Sequence, residues 1–293
     1  ISSSIIWSFN KITQEMDHNT VPFLISAKTR YILSTSGRIS SLERYRKLLQ
    51  DLLRIDVAYL PFHTGDSENP VIDPQRFAWA LKGLPCIGGA ISKDIKHGIV
   101  PFIDVLDETA RKVQSVNTVI VEKDGRLIGY NTDVLGFQTA IEQGIKRSNL
   151  SVKTAVCYGY GGVASVVITV LQELNIQVYL CGRNLETAQA RAKELKCGVW
   201  SKDLGSVDLF VNATPASERP LDQAENFLES IYKAKIAFDH EMPGQYLQDH
   251  CRIMGIFYIP GTDMYFPQME IQWGLFLQDY VNAKDIPSLI EEA

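Results

Sequence analysis

Two glycines and an alanine are spaced as Gly159-x-Gly161-x-x-Ala164, a pattern typical of loops that bind a dinucleotide. A glycine at position 159 lets a strand turn sharply, and a glycine at position 161 lets the backbone approach a pyrophosphate. The small side chain of Ala164 lets the following helix lie close to the strand. These residues therefore predict a dinucleotide-binding site.

The residues around the glycines predict the secondary structure that such a site needs. The apolar run Ala155 to Tyr158 indicates a strand, and apolar residues at helical spacing follow from Val163 to Leu174. Gly162 and Val163 then lie in the first turn of that helix, whose N-terminus attracts phosphate groups.

The next apolar run, Ile176 to Cys181, ends where the adenosine ribose is expected. An NAD site usually has an acidic side chain at that point, whereas this chain has Gly182-Arg183-Asn184. Because a guanidinium suits a 2′-phosphate, Arg183 and Asn184 favour NADP(H) over NAD as the cofactor. The simpler alternative is a solvated arginine at the end of a strand.

The remaining chain alternates between strand and helix patterns, which predicts an α/β fold with mostly parallel sheets. Before the glycine loop we predict strands at 31–34, 56–62, 86–92, 115–122 and 126–130, and helices at 40–53, 74–84, 97–106 and 107–113. A helix that begins at Asp133 is expected to cross into the nucleotide domain. Beyond the loop we predict a helix at 185–195, strands at 207–212 and 234–239, and a long helix at 264–281.

This pattern divides the chain into two domains. The first covers residues 29–134 and is completed by helices at 264–293, and a Rossmann-type domain covers residues 135–263. Residues 1–28 form an N-terminal extension with no motif that indicates a role.

Composition and charge argue against several classes of function. With 293 residues, 45% of them hydrophobic and 22% charged, the chain is typical of a globular soluble protein. No apolar run approaches the about 20 residues of a membrane span, and the opening residues lack the basic start of a secretory signal. A net charge of -5 argues against a nucleic-acid partner, and the five histidines lack metal-ligand spacing. The five cysteines have no paired spacing, which indicates a reducing, cytoplasmic setting.

Four further segments lie in order around the glycine loop: Ser115-Val-Asn-Thr118, Gly129-Tyr-Asn-Thr-Asp-Val-Leu-Gly-Phe137, Asn212-Ala-Thr-Pro215, and Gly261-Thr-Asp-Met264 with Gln268. Together with that loop they resemble the shikimate dehydrogenase family, from about Arg30 to the C-terminus. The resemblance implies a substrate domain that faces the Rossmann domain across a cleft. It also implies cytoplasmic reduction of 3-dehydroshikimate to shikimate by NADPH, a step toward the aromatic amino acids, in a monomer or homodimer.

The same resemblance implies roles for single residues. The catalytic lysine and aspartate of the family fall on Lys96 and Asp133, and its substrate-binding asparagine and glutamine fall on Asn117 and Gln268. Hydride transfer to a ketone leaves an alkoxide that must be protonated, and a partly desolvated Lys96 held by the Asp133 carboxylate can supply that proton. Amide side chains suit vicinal ring hydroxyls.

Two family motifs on the substrate side are altered. The motif Asn-x-Thr-x-Pro-x-Lys becomes Ala90-Ile-Ser-Lys-Asp-Ile-Lys96, in which Ser92 keeps a hydroxyl. The motif Ser-x-Ser-Pro, which binds the substrate carboxylate, falls on Ser40-Ser-Leu-Glu43. Only Ser40 matches there, so a carboxylate would lose one hydroxyl donor and meet the acid Glu43.

Further candidates follow from the same comparison of motifs. Arg38 or Lys93 could bind the anion instead of the missing serine. The family's Tyr-x-Pro is Glu241-Met-Pro243 here. The two later motifs place Thr214 and Gly261 beside the cofactor.

Three hypotheses therefore stay open. The first is an NADP(H)-dependent oxidoreductase that acts on shikimate, quinate or a related ring compound. The second is a weak or inactive paralogue that binds a nucleotide or metabolite, since fold does not fix function. The third is another two-domain NADP enzyme, such as a methylene-tetrahydrofolate dehydrogenase. The pair of Lys96 and Asp133 argues against the second, and Asn131-Thr-Asp133 argues against the third.

Overall fold

The computed structural model describes residues 25–36, 39–62, 72–92, 95–214, 225–242 and 244–293. Most of the predicted N-terminal extension lies outside these residues, as do the candidate anion ligands Arg38 and Lys93. Pro215 and Pro243, which end two of the motifs, also lie outside them.

The first sheet is built from the N-terminal half of the chain. Its strands are β1 (Arg30–Ser34), β2 (Val57–Pro61), β3 (Cys86–Ala90), β4 (Val105–Leu106), β5 (Thr118–Val121) and β6 (Leu127–Tyr130), in the spatial order β2-β1-β3-β5-β6-β4. Strands β2 and β3 flank β1 in parallel, whereas β5 is antiparallel to both β3 and β6. The β5–β6 pair is the hairpin that the sequence predicts.

The second sheet is parallel throughout. Its strands are β7 (Thr154–Tyr158), β8 (Gln177–Cys181), β9 (Gly198–Val199), β10 (Leu209–Asn212), β11 (Ile236–Asp239) and β12 (Phe257–Ile259), in the spatial order β12-β11-β10-β7-β8-β9. Strands β8 and β10 lie on opposite sides of β7, so the direction of winding changes at the carboxyl end of β7. Ligands bind at such a switch point in open α/β sheets.

Helices cover the sheets. They are α1 (Ile39–Arg46), continued by a π-helical segment at Lys47–Leu52, α2 (Pro74–Gly83), α3 (Ile95–Gly98), α4 (Glu108–Val113), α5 (Thr132–Ser148), α6 (Gly162–Glu173), α7 (Leu185–Glu194), α8 (Glu225–Tyr232), α9 (Gln245–Met254), α10 (Thr262–Phe276) and α11 (Ile286–Glu292). The helix predicted at 97–106 is wrong in extent: α3 ends at Gly98, and a short 3₁₀ turn and β4 follow. Pro101 lies in that turn, and proline disfavours continuation of an α-helix through the residue before it.

Helices α5 and α10 connect the two sheets. Phe137 of α5 contacts Phe238 of β11 edge-to-face, with ring centroids 5.1 Å apart. Trp273 of α10 lies in the core of the first sheet, 5.6 Å from the ring of Tyr45. Gly136 lets the two helices touch, because a Cβ atom there would lie 2.7 Å from Cβ of Gln268. The Gly-Phe pair of the Asn-Thr-Asp segment therefore serves helix packing.

Membrane-spanning helices, disulfide bonds and metal-ligand clusters are absent from the described part of the chain. No helix in it has the length and apolar character needed to cross a bilayer. All five cysteines are free thiols. Within the described ranges, no three His, Cys, Asp or Glu side chains group in a way that could hold a metal ion.

Candidate active site

A cavity of about 820 Å³ lies between the two sheets. The first sheet and its helices contribute Ser92, Lys96 and Asn117 to the wall, and α5 contributes Asp133. The glycine loop contributes the first turn of α6, and α10 closes the cavity with Gln268 and its neighbours. Its volume is typical of a site for a small molecule.

Lys96 and Asp133 form an ion pair on the cavity wall, with Nζ 2.6 Å from Oδ2. Their side chains are only 24% and 16% exposed, respectively. The Asn131 side chain caps α5 by accepting a hydrogen bond from the Asp133 backbone N–H, and it donates to the carbonyl oxygen of Ser115. The buried cap fixes the first turn of α5, so Asp133 is held in place by local structure.

The environment of Asp133 keeps its carboxyl group ionised. Burial alone raises the pKa of this group. The Lys96 ammonium, a hydrogen bond from that ammonium, His240 and Asn117 outweigh burial and hold the pKa of Asp133 below its usual value. Asp133 is therefore a permanent anion at neutral pH, suited to hold an ammonium and unsuited to donate a proton.

Two amide side chains converge on the hydroxyl of Thr132, the residue before Asp133. Asn117 Nδ2 and Gln268 Nε2 donate to Thr132 Oγ1 at 2.9 Å and 2.8 Å. Asn117 Oδ1 accepts from the Thr132 backbone N–H and from the Thr118 hydroxyl. The Asn117 side chain also interacts with the Asp133 carboxylate. The second N–H of Gln268 remains for a ligand hydroxyl, because a primary amide carries two donors.

The glycine loop has the geometry that a pyrophosphate requires. Gly159 has φ +117°, and a Cβ atom there would lie 2.7 Å from Cγ2 of Thr214. Gly161 begins α6 without a side-chain cap, and no atom lies within 4 Å of the Cβ that it lacks. Gly162 and Val163, in the first turn of α6, line the cavity, and the N-terminus of a helix is where phosphate oxygens bind. These residues fit a dinucleotide.

The two residues expected at the ribose differ in surroundings. Arg183 is exposed, and no acidic side chain in the described ranges forms an ion pair with it. Asn184 is the N-cap of α7, and its side chain accepts from the Thr187 backbone N–H at 2.8 Å. The ring of Tyr160 lies over Gly182, where a Cβ atom would come within 2.4 Å of it. The cationic Arg183 side chain is thus available at the end of β8.

The structure brings most of the predicted residues together. Ser92, Lys96, Asn117, Asp133, Gly162, Val163 and Gln268 line the cavity. Thr214 contacts Gly159, whereas Ala164 is fully buried beneath the loop. Gly261 lies outside the wall, and a Cβ atom there would meet the carbonyl oxygens of Asp239 and Glu241 at 2.7 Å and 2.9 Å.

The altered carboxylate motif is arranged differently from the expectation. Ser40 is exposed and does not line the cavity, and Ser41 lies on the wall instead. Leu42 and Glu43 are exposed and lie outside the wall, so Glu43 brings no negative charge into the cavity. Helix α1 begins at Ile39, so Ser40 and Ser41 point about 100° apart around the helix axis, and Ser40 faces the solvent.

Several wall residues were missed in the sequence. They are Ser34, Ser36, Ser41, Arg44, Tyr45, Tyr59, His97, Ser115, His240, Met264, Tyr265, Met269 and Gln272. Helical spacing could have found some of them, because Gln272 lies four residues after Gln268 and Arg44 lies three residues after Ser41. His97 and His240 carry no such signal.

The chain is similar to known dehydrogenases. The shikimate dehydrogenase (NADP(+)) of Methanocaldococcus jannaschii is 36% identical over 151 residues, which are 47% of this chain and 52% of that protein. A solved shikimate dehydrogenase in complex with NADP+ is 22% identical with a TM-score of 0.72, covering 93% of this chain and 98% of the other. A quinate dehydrogenase from Corynebacterium glutamicum in complex with NAD is 20% identical with a TM-score of 0.71, covering 90% and 99%.

The sequence similarity covers only part of the chain, whereas the structural similarity covers most of it. No protein-family model matches the chain. The chain spans about half the length of the curated relatives it matches, from 51% to 63%. The structural likeness extends over nine tenths of the chain, and it confirms the predicted fold of two α/β domains, one of them of the Rossmann type.

Proposed function

We propose that this chain is a divergent member of the shikimate dehydrogenase family and an NADP(H)-dependent oxidoreductase that interconverts a ring hydroxy acid with its ketone. Shikimate and quinate are the substrates that the relatives suggest. The observation that carries the proposal is that Lys96 and Asp133 line the same cavity as the first turn of α6. A proton-transfer pair and a dinucleotide loop thus share one cavity.

A nicotinamide cofactor held at the glycine loop would supply the hydride for reduction or accept it for oxidation. In the direction of reduction, the carbonyl carbon of the substrate gains that hydride, its C=O π bond breaks, and the oxygen takes a proton from the Lys96 ammonium. The overall change is ketone, NADPH and a proton to alcohol and NADP+. Lys96 is 24% exposed, so water can return the proton to it.

The other wall residues support this step by position and charge. The Asp133 carboxylate holds the Lys96 ammonium at 2.6 Å and stays ionised. Asn117 and Gln268 both line the cavity beside Thr132, one residue from Asp133, and Gln268 keeps a second amide N–H there. We assign to them the binding of ring hydroxyls next to the reacting carbon.

Arg183 supports NADP(H) as the cofactor. It is exposed at the end of β8, where a 2′-phosphate is expected, and neither Gly182 nor Asn184 carries a negative charge. Asn184 contributes by capping α7, which holds the turn in which Arg183 lies.

The test is the reduction of NADP+, followed by the absorbance of NADPH, with shikimate and quinate in turn and with NAD+ as the control cofactor. We expect turnover of one of the two acids with NADP+ and at least tenfold lower kcat/KM with NAD+. Binding of NADP+ without turnover of any ring hydroxyl compound would favour the nucleotide-binding paralogue instead.

A further inference from the structure

Arg44 of α1 is a cation on the cavity wall, and the proposed reaction assigns no role to it. It is half-buried, and its guanidinium is held by α10. Nη1 donates to the Tyr265 hydroxyl at 2.8 Å and lies 3.5 Å from Sδ of Met269. The guanidinium carbon also lies 5.5 Å from the centre of the Tyr265 ring. Two neighbours from a second helix thus fix the direction of this side chain.

The fixed guanidinium keeps most of its donors. An arginine carries five N–H groups, and the contacts above involve Nη1 alone. Among the residues that the structure describes, none accepts a hydrogen bond from Nε or Nη2 of Arg44, and no carboxylate forms an ion pair with it. The edge formed by Nε and Nη2 has the geometry that matches both oxygens of a carboxylate.

The charges on the cavity wall also favour a carboxylate as the ligand of Arg44. Within the described ranges, the wall carries three permanent charges, those of Arg44, Lys96 and Asp133. Lys96 and Asp133 cancel one another at 2.6 Å, so Arg44 leaves one positive charge without a partner in the cavity. Such a cavity favours a ligand with a single negative charge.

The position of Arg44 suits the acid end of a ring substrate. Tyr265, which holds Arg44, and Gln268, which donates to Thr132 beside Asp133, are three residues apart on α10, so their Cβ atoms lie about 5–6 Å apart. Hydroxyl groups of Ser34, Ser36 and Ser41 line the same cavity. A ring can therefore bind by its carboxylate at one end and by a hydroxyl at the other.

We propose that Arg44 binds the carboxylate of the substrate, in place of the serine pair that is altered in this chain, and so restricts the site to monoanionic ring hydroxy acids. The proposal rests on the proposed function for the identity of the reaction, but its electrostatic argument concerns binding alone.

The test compares Arg44→Gln with Arg44→Lys and with the control Arg46→Gln in the full chain. Arg46 is exposed on the same helix. For the acid that the wild type oxidises, we expect R44Q to raise KM on the order of 10- to 100-fold with a smaller change in kcat, since a hydrogen-bonded charge pair is lost. R44K should give an intermediate KM, and R46Q should match the wild type. The KM for NADP+ should not change in any variant.

The methyl ester of the same acid separates a carboxylate contact from a general disturbance of the cavity. The wild type should prefer the acid to the ester by a factor similar to the effect of R44Q, and R44Q should not distinguish the two. An unchanged KM for the acid in R44Q, or an equal loss for acid and ester, would overturn the proposal.

Calorimetric titration with shikimate and quinate in the presence of NADP+ keeps this result separate from the proposed reaction. Binding by the wild type that is lost in R44Q supports Arg44 as the anion ligand even if turnover is absent. If the wild type binds neither acid, or if it oxidises only uncharged cyclic polyols, the assignment of Arg44 is wrong. In the second case NADP(H)-dependent oxidoreduction still stands, but the substrate is not a ring hydroxy acid.

Discussion

The Nζ atom of Lys96 lies 2.6 Å from the Oδ2 atom of Asp133, although 37 positions separate the two residues in the chain. Lys96 lies on the one-turn helix α3, and Asp133 lies in the capped first turn of α5. Both backbones are thus held independently of any ligand. This arrangement supports the proposed proton transfer, because a proton donor must already be oriented when an alkoxide forms.

Replacing Lys96 by Met removes the proposed proton donor while keeping most of the packing. We expect K96M to lower kcat by about 10²- to 10⁴-fold, the usual contribution of a positioned acid or base. Fluorescence titration of NADPH should give an unchanged Kd. Because the two residues act as a unit, the double variant K96M/D133N should be hardly slower than K96M.

The matched control for this prediction is Lys82→Met. It breaks another ion pair of the first domain, in which Lys82 Nζ lies 2.8 Å from Asp104, but at exposed side chains away from the cavity wall. We expect K82M to keep the kcat of the wild type. A K96M variant with more than a tenth of the wild-type kcat would exclude Lys96 as the proton donor.

Cofactor preference should depend on charge at the end of β8. Arg183→Gln removes the cation, so we expect KM for NADP+ to rise on the order of tenfold or more while KM for NAD+ stays the same. Asn184→Asp keeps the cap of α7, since Asp caps as well as Asn, but adds a negative charge beside the 2′-phosphate. N184D should therefore bind NADP+ more weakly and NAD+ more tightly than the wild type does, and its unfolding temperature should be unchanged.

These kinetic constants also test the alternative of a merely solvated arginine. If R183Q has the same ratio of kcat/KM for NADP+ and NAD+ as the wild type, Arg183 does not contact the 2′-phosphate. Asn184→Ala serves as the stability control, because losing the cap should cost about 1 kcal/mol of unfolding free energy.

Replacing the two loop glycines by Ala should have different effects, a loss of stability at position 159 and a loss of NADP+ binding at position 161. At Gly159, φ is +117° and a Cβ atom would lie 2.7 Å from Cγ2 of Thr214 and 3.0 Å from the carbonyl oxygen of Ala213. We expect G159A to lose on the order of 1–3 kcal/mol of unfolding free energy in urea denaturation. At Gly161, φ is -74° and no neighbour lies within 4 Å of an added Cβ. G161A should fold normally and bind NADP+ at least tenfold more weakly, because the methyl group occupies space that the pyrophosphate needs.

Equal stability of the two variants would contradict the strain assigned to position 159. Unchanged NADP+ binding by G161A would mean that the pyrophosphate does not approach this point of the loop.

Asp239, at the end of β11, should make stability depend on pH. Its side chain is buried, with the residue 1% exposed, and Oδ2 has no hydrogen-bond partner in the described part of the chain. Burial raises its pKa to about 6, although hydrogen bonds from Glu241 N–H and Asn212 act in the opposite direction. The unfolded chain has an ordinary carboxyl pKa of about 3.9, so between about pH 4 and pH 6 the folded state binds more protons.

The unfolding free energy should therefore fall as pH rises through that window, by up to about 3 kcal/mol from this group. Asp239→Asn keeps the shape without the titrating group, so the difference in stability between wild type and D239N should change across pH 4 to 6 by that amount. Urea denaturation at several pH values measures it. A constant difference across the window would show that Asp239 does not titrate there.

Asp208 provides a control of opposite sign. Burial raises its pKa, but hydrogen bonds from the Lys153 and Thr154 backbone and from Lys235 outweigh burial and lower it to about 2. Its stabilising contribution is present above the unfolded pKa and is lost as pH falls toward 2. Asp208→Asn should thus be less stable than the wild type at neutral pH, in contrast to D239N.

The sequence by itself determined the features that depend on residues close together in the chain. The strand, turn and helix around Gly159 and the β5–β6 hairpin each arise from hydrogen bonds and backbone preferences within a few residues. The order of these segments was sufficient to predict the two-domain fold. It also carried the resemblance from which four candidate site residues were predicted, namely Lys96, Asp133, Asn117 and Gln268. All four of these residues line the cavity, and their roles stay predictions.

Only the tertiary structure decided which side chains share that cavity. Ser41 replaces Ser40 on the wall because one residue on a helix corresponds to a rotation of about 100°. Arg44 lies on the cavity wall, where Tyr265, 221 positions away, holds its guanidinium. Such contacts depend on how α1 and α10 pack against each other in the core of the first domain, and packing between distant segments leaves no periodic signal in the chain.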